Sequence, residues 1–477
     1  MTALWTLSDM ARAMHADTTG TPASDVTGIS IDTRTIAKGE AFFALTDARD
    51  GHDFVEAALQ AGAGVAVVAR ERRSRFAADA PLLLVDDVLE ALRDLGRAAR
   101  ARTDARIVAV TGSVGKTGTK EALRLALSAD GATHASAASY NNHWGVPLSL
   151  ARCPADVKYA IFEIGMNHAG EITPLVKMVR PHVAIVTTVE PVHLEYFGSV
   201  EKIADAKAEI FLGIEPGGAA VINRDNAQYE RLAAAAKAAG VSRIVSFGEH
   251  ESCDARLMRF ALRPDTSCVH ADILGNEVHY KLGAPGRHLV DNSLAVLAAV
   301  SLMGADLALA ALALRKLRAP TGRGARIVLR VNGGTALLID ESYNANPASM
   351  AAAIALLGQA EVGPRGRRIA VLGDMLELGG DGAALHRALA ANLETGHIDL
   401  VYCSGPLMHS LWEALPSGRR GGYAGTAAEL EPAVLGAVRP GDAVMVKGSF
   451  GSRMAPIVKA LERVYAGSPA PEADAGA

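Results

Sequence analysis

The stretch from residue 107 to residue 129 most constrains the fold of this chain, because an apolar run passes through two glycines into a helical pattern. Residues 107–110 are apolar and rich in β-branched side chains, which is typical of a buried strand. Gly112 and Gly115 let the backbone turn its N–H groups inward. Residues 120–129 have helical spacing. A strand, a glycine loop and a helix N-terminus predict a phosphate-binding loop.

The loop also carries side chains suited to a nucleotide. The Lys116 ammonium can reach the outer phosphates, and the Thr117 hydroxyl can bind Mg²⁺. The full loop pattern places a glycine where this chain has Val110, so the loop is a shortened version. The alternative is an ordinary strand–turn–helix junction. The predicted nucleotide-binding residues of the loop are Thr111, Gly112, Ser113, Val114, Gly115, Lys116 and Thr117.

Length and charge restrict the possible protein classes. A chain of 477 residues is too long for one core, so several domains are expected. The 48 basic and 52 acidic residues give a net charge of −4, which provides no electrostatic argument for binding nucleic acid. The apolar stretch 289–314 contains charged residues and Gly304, and it is interpreted as two packed helices, not a membrane span.

The cysteines and the N-terminus indicate the compartment. The four cysteines lack metal-ligand or redox spacing, which favours reduced thiols. The first residues lack the basic and apolar regions of a signal peptide. We therefore expect a cytoplasmic protein without membrane insertion. We also expect a monomer, although the sequence does not determine the oligomeric state. The cysteines are Cys153, Cys253, Cys268 and Cys403.

Strands alternate with helices along the chain, which predicts three α/β units. The first unit covers 1–105, the second 106–318 and the third 319–466, and a low-complexity tail at 467–477 is expected to be disordered. In the first unit, strands are predicted at 28–34, 39–45, 65–68 and 82–85, and a helix at 54–61. Arg34 and His52 lie beside turns there and could hold an anion, although composition alone favours solvated loop residues.

The second unit places a carboxylate in an apolar strand. Glu163 is the one charged residue in the strand predicted at 159–165. A carboxylate at the carboxyl end of a strand beside a phosphate loop suits Mg²⁺, and the alternative is an edge-strand glutamate facing water. His193 follows the strand predicted at 183–188, although a lone histidine is usually not a ligand.

Two further features complete the pattern. A helix predicted at 199–212 carries Lys202 and Lys207, and nothing local distinguishes either lysine from a solvated one. In the third unit, a Gly/Pro-rich hinge at 320–324 precedes a strand at 337–340 that ends in Asp340. Strands at 369–373, 400–403 and 443–447 complete a parallel pattern, with polar loops at the carboxyl ends where ligands bind.

Taken together, these motifs resemble the Mur ligases of peptidoglycan precursor synthesis, in family order over nearly the whole chain. The run 343–350 resembles the member that adds a D-alanyl-D-alanine dipeptide, and the Asp-Asn-Pro-Arg element of the sister ligase that adds the third peptide residue is absent. The motifs that carry the resemblance are 111–117, 140–142, 162–167, His193, 206–210, 286–292, 322–323, 340–347, 373–379 and 447–449.

The resemblance implies a fold and a set of roles. The fold would be a small α/β UDP-binding domain, a central P-loop ATPase domain with a mostly parallel sheet, and a Rossmann-like C-terminal domain. The implied metal ligands for two Mg²⁺ ions are Thr117, Glu163, His193 and Lys207 as a carbamate. The implied catalytic residues are Lys116, Lys207, His193 and Arg323.

The remaining roles concern ATP and the substrates. Asn292 and Asp340 would contact the adenine and ribose, and Arg323 would reach the γ-phosphate after domain closure. The first unit would hold the UDP end, where the family's usual Asp-Ser-Arg reads Asp-Thr-Arg at 32–34. The implied substrate-binding residues are Thr33, Arg34, Asn141, Asn142, Tyr343, Asn344 and Asn346.

The implied activity is ATP-driven amide formation through an acyl phosphate, joining D-alanyl-D-alanine to UDP-N-acetylmuramoyl-tripeptide. Domain closure would protect the acyl phosphate from water. Three alternatives share parts of the pattern: another Mur ligase, a folylpolyglutamate synthase, and a P-loop ATPase or small-molecule kinase. The folate enzyme lacks a UDP-binding unit, and a kinase needs no amine acceptor.

Overall fold

A computed structural model describes residues 3–137, 139–192, 194–465 and 468–469, and within them it shows three α/β units, as predicted. Each unit is built around its own sheet. None of the helices in these ranges is long and apolar enough to cross a membrane. All four cysteines are free, as the sequence predicted.

The first unit contains a five-stranded sheet with the order β2-β7-β6-β5-β4, in which only β2 is antiparallel to its neighbour. Its elements are β1 Trp5–Thr6, α1 Leu7–Ala13, β2 Asp17–Thr19, β3 Asp25–Val26, β4 Ile29–Ser30, β5 Ala41–Phe43, a 3-10 helix Gly51–Phe54, α2 Val55–Gln60, β6 Val65–Ala69, a 3-10 helix Arg70–Arg75, β7 Leu82–Val85 and α3 Val88–Ala101.

One strand of this unit is shorter than predicted. The sequence predicted a strand over 28–34, but β4 ends at Ser30. The Asp32 carboxylate accepts a hydrogen bond from the Arg34 backbone N–H at 3.0 Å, and this contact closes a turn that ends the strand.

The central unit contains a nine-stranded sheet and helices on both faces. Its elements are β8 Arg106–Thr111, α4 Lys116–Ser128, β9 Thr133–Ala135, α5 Gly145–Ala151, β10 Tyr159–Glu163, α6 Ile172–Val179, β11 Val183–Val186, α7 Leu194–Phe197, α8 Val200–Ala208, a 3-10 helix Glu209–Gly213, β12 Ala219–Asn223, α9 Tyr229–Ala238, β13 Arg243–Gly248, β14 Ala255–Leu262, β15 Ser267–Ile273, β16 Asn276–Leu282, α10 Arg287–Leu302, α11 Leu307–Ala313 and a 3-10 helix Leu314–Lys316.

The order of this sheet is β16-β15-β14-β13-β12-β11-β8-β10-β9. The strands from β8 to β14 pair in parallel, and β15 and β16 add an antiparallel edge. The mostly parallel sheet was predicted. Because β8 lies between β10 and β11, the carboxyl ends of these three strands meet at one point, where open α/β sheets bind ligands.

The helix predicted over 199–212 is interrupted. α8 ends at Ala208, and a 3-10 helix follows. The Glu209 carboxylate accepts hydrogen bonds from the backbone N–H groups of Gly170 at 2.6 Å and Thr173 at 2.9 Å. The Glu209 side chain thus makes a tertiary contact at the point where the helix is interrupted. A local sequence pattern cannot reveal such a contact.

The third unit contains a seven-stranded sheet with the order β21-β20-β19-β22-β18-β17-β23, parallel from β18 to β21 as predicted. Its elements are β17 Ala325–Val331, β18 Gly334–Glu341, α12 Pro347–Gly358, β19 Arg368–Gly373, a 3-10 helix Gly379–Asp381, α13 Gly382–Thr395, β20 Leu400–Ser404, α14 His409–Ala414, a 3-10 helix Ser417–Arg419, β21 Arg420–Ala424, α15 Ala427–Ala437, β22 Ala443–Lys447, a 3-10 helix Phe450–Ser452, α16 Ala455–Val464 and β23 Ser468–Pro469.

The tail differs from its prediction at two residues. Ser468–Pro469 forms a short strand against Ile327 and Val328 of β17, where the sequence predicted disorder. The edge of β17 offers backbone groups to any neighbouring segment. The rest of the tail lies outside the described residues.

The first unit shares a hydrophobic core with the central one. Leu148 and Ala151 of α5 pack into the same buried cluster as Trp5. The Trp5 indole N–H donates to the Ala151 carbonyl at 2.9 Å, and the Arg152 guanidinium donates to the Ile29 carbonyl at 2.7 Å. These contacts hold the turn that follows β4 beside the central unit.

The loop between β8 and α4 depends on a close approach that only glycine allows. Gly112 has φ +150°, and a Cβ at this position would lie 1.9 Å from the Thr187 hydroxyl oxygen. Gly118, two residues into α4, has open space by comparison, because a Cβ there would meet only Leu289 Cδ2 at 3.8 Å.

We therefore predict opposite results for two alanine substitutions. Gly112→Ala should destabilise the loop by about 1–3 kcal/mol, because the added Cβ collides with Thr187 in a backbone conformation that alanine rarely adopts. Gly118→Ala should be neutral or slightly stabilising, since alanine favours helix. Thermal unfolding and the affinity for a nucleoside triphosphate analogue measure both effects. Equal behaviour of the two variants would contradict the loop geometry.

Candidate active site

The phosphate loop forms a cradle at the carboxyl end of β8. Gly115 adopts φ +87° and caps the N-terminus of α4, so the first backbone N–H groups of the helix face the loop. The Lys116 ammonium, half-buried, donates to the Gly112 carbonyl at 2.7 Å. Burial lowers the pKa of Lys116, the Glu163 carboxylate opposes that shift and the Arg323 charge adds to it. The cradle thus combines helix-terminal N–H groups with a lysine, as anion binding requires.

Glu163 is the buried carboxylate of the site. It ends β10, which lies between β8 and β9, so it is not on an edge strand. Its side chain is 0% exposed and accepts hydrogen bonds from the Thr117 hydroxyl at 2.9 Å and the Asn141 amide at 2.7 Å. Within the described part of the chain it forms no ion pair. A buried carboxylate held only by neutral donors has unused capacity for a cation.

The segment after β11 fixes the phosphate loop from the other side. The Thr187 hydroxyl donates to the Val114 carbonyl at 2.6 Å, and the Ser113 N–H donates to the Thr188 carbonyl at 2.8 Å. The Ser113 hydroxyl donates to the Glu190 carbonyl at 3.1 Å. This pairing of two loops was not predicted. His193, the predicted ligand that follows, lies outside the described residues.

Lys207 is buried in α8, whereas Lys202 on the same helix is exposed. Burial, and then the charge of Lys116, hold the pKa of Lys207 well below its usual value. No carboxylate within the described ranges forms an ion pair with it. The structure therefore distinguishes two lysines that the sequence pattern alone could not separate. A lowered pKa makes the amine of a buried lysine easier to deprotonate to its nucleophilic form.

The third unit contributes a cation to the cradle. The Arg323 guanidinium donates to the Ser139 hydroxyl at 3.3 Å and lies 4.1 Å from the centre of the Tyr343 ring. Ser139 is in turn 3.4 Å from the Thr117 hydroxyl. The structure thus brings the predicted Arg323 to the phosphate loop. Ser139 was not among the predicted site residues, although it directly precedes the matched motif at 140–142.

Asn292 and Asp340, the predicted nucleoside contacts, lie in two different parts of the structure, one at the phosphate loop and one at the hinge. The Asn292 amide lies against the phosphate loop, where a Cβ on Gly115 would approach it to 2.5 Å. The Asp340 carboxylate is 3% exposed and accepts hydrogen bonds from the Gly322 N–H at 2.9 Å and the Ser342 hydroxyl at 2.6 Å. Asp340 therefore holds the hinge in shape.

The other predicted substrate residues have mixed environments. Asn142 accepts from the Gly145 N–H at 2.9 Å, and Asn346 caps α12 by accepting from the Ser349 N–H at 2.9 Å, so both side chains have structural partners. The Asn344 side chain accepts from the next backbone N–H, and its carbonyl accepts from the buried Lys447 ammonium at 3.0 Å. Tyr343 is 38% exposed.

The first unit presents an arginine at its turn. Arg34 makes a two-point contact with the Asp32 carboxylate, at 2.9 and 2.6 Å, while Thr33 lies between them. This contact, more than any other, lowers the pKa of Asp32 to about 2. His52 is buried, contacts Asp50 at 2.6 Å and accepts from the Ala69 N–H at 3.0 Å. His52 therefore fixes a loop onto β6, and it is not the solvated loop residue that composition favoured.

Comparison with protein families gives matches across all three units. The Mur ligase family catalytic domain matches residues 25–100, the Mur ligase middle domain matches 110–300, and the Mur ligase glutamate ligase domain matches 325–450. The matched ranges follow one another along the chain without overlap.

Individual relatives match at nearly full length. The UDP-N-acetylmuramoyl-tripeptide–D-alanyl-D-alanine ligase of Escherichia coli (strain K12) is 35% identical over 96% of this chain and 98% of its own. The crystal structure of MurF from Acinetobacter baumannii has a TM-score of 0.82 at 29% identity, covering 96% of this chain and 99% of that one. The MurF ligase from Thermotoga maritima in complex with ADP has a TM-score of 0.74 at 25% identity, covering 91% and 97%.

The family resemblance noted in the sequence is thus confirmed by family models, by sequence relatives and by solved structures of the same three-unit architecture. The chain belongs to the Mur ligase family.

Proposed function

We propose that this protein joins D-alanyl-D-alanine to UDP-N-acetylmuramoyl-tripeptide, using ATP, to give the UDP-linked pentapeptide precursor of peptidoglycan. It acts as a monomer in the cytoplasm, and its four free cysteines fit a reducing compartment. The nearly full-length relative in Escherichia coli carries the name of this activity.

One observation carries the proposal. A phosphate cradle, a buried carboxylate and an arginine from another unit meet within a few ångströms, through the contacts Thr117–Glu163 at 2.9 Å and Arg323–Ser139 at 3.3 Å. An ATPase or a kinase could use the cradle alone. An arginine supplied by a separate unit, next to a hinge, fits an enzyme that assembles its site around several substrates and then excludes water.

The residues present fit a magnesium site. The Thr117 hydroxyl and the Glu163 carboxylate are oxygen donors, which Mg²⁺ prefers, and the Glu163 charge has no ion-pair partner in the described residues. His193 and Lys207 would add ligands for a second ion. Bound Mg²⁺ would neutralise charge on the transferring phosphoryl group.

The reaction proceeds in two steps. The terminal carboxylate of the tripeptide attacks the γ-phosphorus of ATP, which forms an acyl phosphate and releases ADP. The amine of D-alanyl-D-alanine then attacks the acyl carbon, and the tetrahedral intermediate expels phosphate while the nitrogen loses a proton. Lys116 and Arg323 stabilise the negative charge that develops on the phosphoryl oxygens.

The substrates extend from this centre over the three units. The UDP end would bind at Thr33 and Arg34, and Asn141 and Asn142 would bind the part of the substrate nearer the reaction centre. Tyr343, Asn344 and Asn346 line the side of the third unit that receives the dipeptide. Asn292 and Asp340 flank the nucleoside of ATP, with Asp340 acting in addition as the anchor of the hinge.

The alternatives predict different products. A folylpolyglutamate synthase has no use for a UDP-binding unit, whereas the first unit of this chain matches a Mur ligase domain at 25–100. A P-loop ATPase or kinase would release phosphate or phosphorylate one substrate without an amine acceptor. Another Mur ligase would accept a single amino acid in place of the dipeptide.

The direct test measures phosphate release and product mass. We predict that release requires ATP, D-alanyl-D-alanine and a UDP-tripeptide together, with lysine or diaminopimelate as the third residue. Lys116→Ala should lower turnover by about 100-fold to 1,000-fold, because the cradle loses its internal cation, while the circular dichroism spectrum stays unchanged. Release that is independent of the dipeptide, or near-normal activity of Lys116→Ala, would refute the proposed function.

We further propose that Lys207 is carbamylated. Its neutral amine adds to carbon dioxide and loses a proton, which converts a cation-forming group into an anionic oxygen ligand close to Lys116. The lowered pKa supports this reaction, because only the unprotonated amine is nucleophilic.

A pair of variants tests the carbamate. Lys207→Ala should lower turnover by about 100-fold, and bicarbonate or a short carboxylic acid should partly restore it by occupying the vacated position. Lys202→Ala, five residues earlier and exposed, should keep wild-type kinetics. Wild-type kinetics for Lys207→Ala would eliminate the hypothesis, and an inactive but folded variant without rescue would assign Lys207 another role.

A further inference from the structure

A cluster of two histidines and a glutamate lies on the outer face of the hairpin formed by β15 and β16. His270 and His279 are directly opposite each other across the two strands, and Glu277 is two residues before His279. Because side chains alternate along a strand, all three project from the same face. The metal-ligating atoms of the three side chains lie within 4.8 Å of one another.

The cluster is remote from the reaction centre. β15 is five strands away from β8 in the sheet order, which corresponds to roughly 24 Å at the usual spacing between strands. None of the three residues takes part in the mechanism above. The proposed ligase reaction therefore does not account for the clustering of these three side chains.

The distances fit a small tetrahedral ion. His270 Nε2 lies 2.7 Å from Glu277 Oε1, and His279 Nε2 lies 3.6 Å from the same oxygen. Ligand atoms around a tetrahedral zinc ion are about 3.3 Å apart, given bonds of about 2.0–2.1 Å. The two observed distances bracket that value, so small side-chain rotations would place all three atoms around one ion.

The ligand chemistry selects the class of ion. Two imidazole nitrogens and one carboxylate suit Zn²⁺, Cu²⁺ or Ni²⁺ and do not suit Mg²⁺, which prefers oxygen donors. The two rings are nearly parallel, at 15°, with their centres 4.0 Å apart. The two imidazoles are therefore already stacked against each other within reach of the Glu277 carboxylate.

The charges around the cluster nearly balance. Arg259 on β14 is opposite His270, and Lys281 follows His279 by two residues on β16, so both add positive charge to this face. Asp272, opposite Glu277, adds a negative charge. The neighbouring charges therefore do not exclude a dication, and the Glu277 carboxylate supplies the local attraction.

We propose that His270, Glu277 and His279 form a surface site for a transition-metal dication of the zinc type, which bridges β15 and β16 at the edge of the central sheet. The site leaves a fourth coordination position open to water. The bound ion would cross-link the two outermost strands of the sheet and raise the stability of this edge.

Calorimetric titration of the full-length protein with ZnCl₂ tests the proposal, in excess Mg²⁺ that occupies the oxygen ligands of the reaction centre. The wild type should bind one equivalent of Zn²⁺ that His279→Ala and His270→Ala each weaken by about tenfold or more. His409→Ala is the matched control, because His409 lies 3.8 Å from Glu413 on an exposed helix without a second imidazole. It should bind Zn²⁺ like the wild type.

A spectroscopic readout separates ligation from folding. Electron paramagnetic resonance of the Cu²⁺-loaded wild type should show two coordinated imidazole nitrogens from this site, and one after His279→Ala. Ligase turnover without added zinc should be the same in both proteins. Absence of Zn²⁺ binding in the wild type, or identical Zn²⁺ titrations for wild type and His279→Ala, would overturn the proposal.

Discussion

The site depends on one buried carboxylate that forms no ion pair among the residues that the structure describes. Glu163 is 0% exposed, and the Thr117 hydroxyl and the Asn141 amide each donate a hydrogen bond to one of its two oxygens. Such a charge is costly in a folded protein unless a cation joins it. In the proposed reaction, its position at the end of β10, directly beside the phosphate loop of β8, would let a metal-bound nucleotide offset that cost. The phosphate loop, the Thr117 hydroxyl and the Glu163 carboxylate form one connected site, because the loop leads directly into Thr117 and the Thr117 hydroxyl donates to Glu163.

The charges of two lysines, and contacts from the first and third units, also shape this site. Lys116 and Lys207 lie close enough for the charge of Lys116 to lower the pKa of Lys207. A carbamate on Lys207 would remove this repulsion and supply a second negative group to the metal site. Arg323 approaches from the third unit and contacts Ser139, and it directly follows Gly322, whose N–H donates to Asp340 at the hinge. The α5 contacts with Trp5 attach the first unit to the same framework.

Periodicity and turn chemistry were enough to predict the three α/β units, the phosphate loop and the strand that ends in Glu163. They could not predict features that rest on tertiary contacts. The break after α8 arises because Glu209 binds the backbone at Gly170 and Thr173. Lys207 differs from Lys202 in its burial, and Ser139 enters the site because folding brings it to the Thr117 hydroxyl and the Arg323 guanidinium. The paired histidines of β15 and β16 are nine positions apart in sequence, and only the strand register makes them neighbours. Local patterns thus located the strands around the phosphate loop, but the partners of each side chain become visible only in the folded structure.

The central claim is that the tripeptide carboxylate itself is phosphorylated in this site before the dipeptide attacks. Isotope transfer measures this step directly. With both oxygens of the terminal tripeptide carboxylate labelled with ¹⁸O, one label should stay in the new amide and one should appear in the released phosphate, where ³¹P NMR detects it as an isotope shift. Phosphate that contains no ¹⁸O, formed at the same rate as the pentapeptide, would contradict the acyl phosphate and with it the assigned roles of Glu163, Lys116 and Arg323.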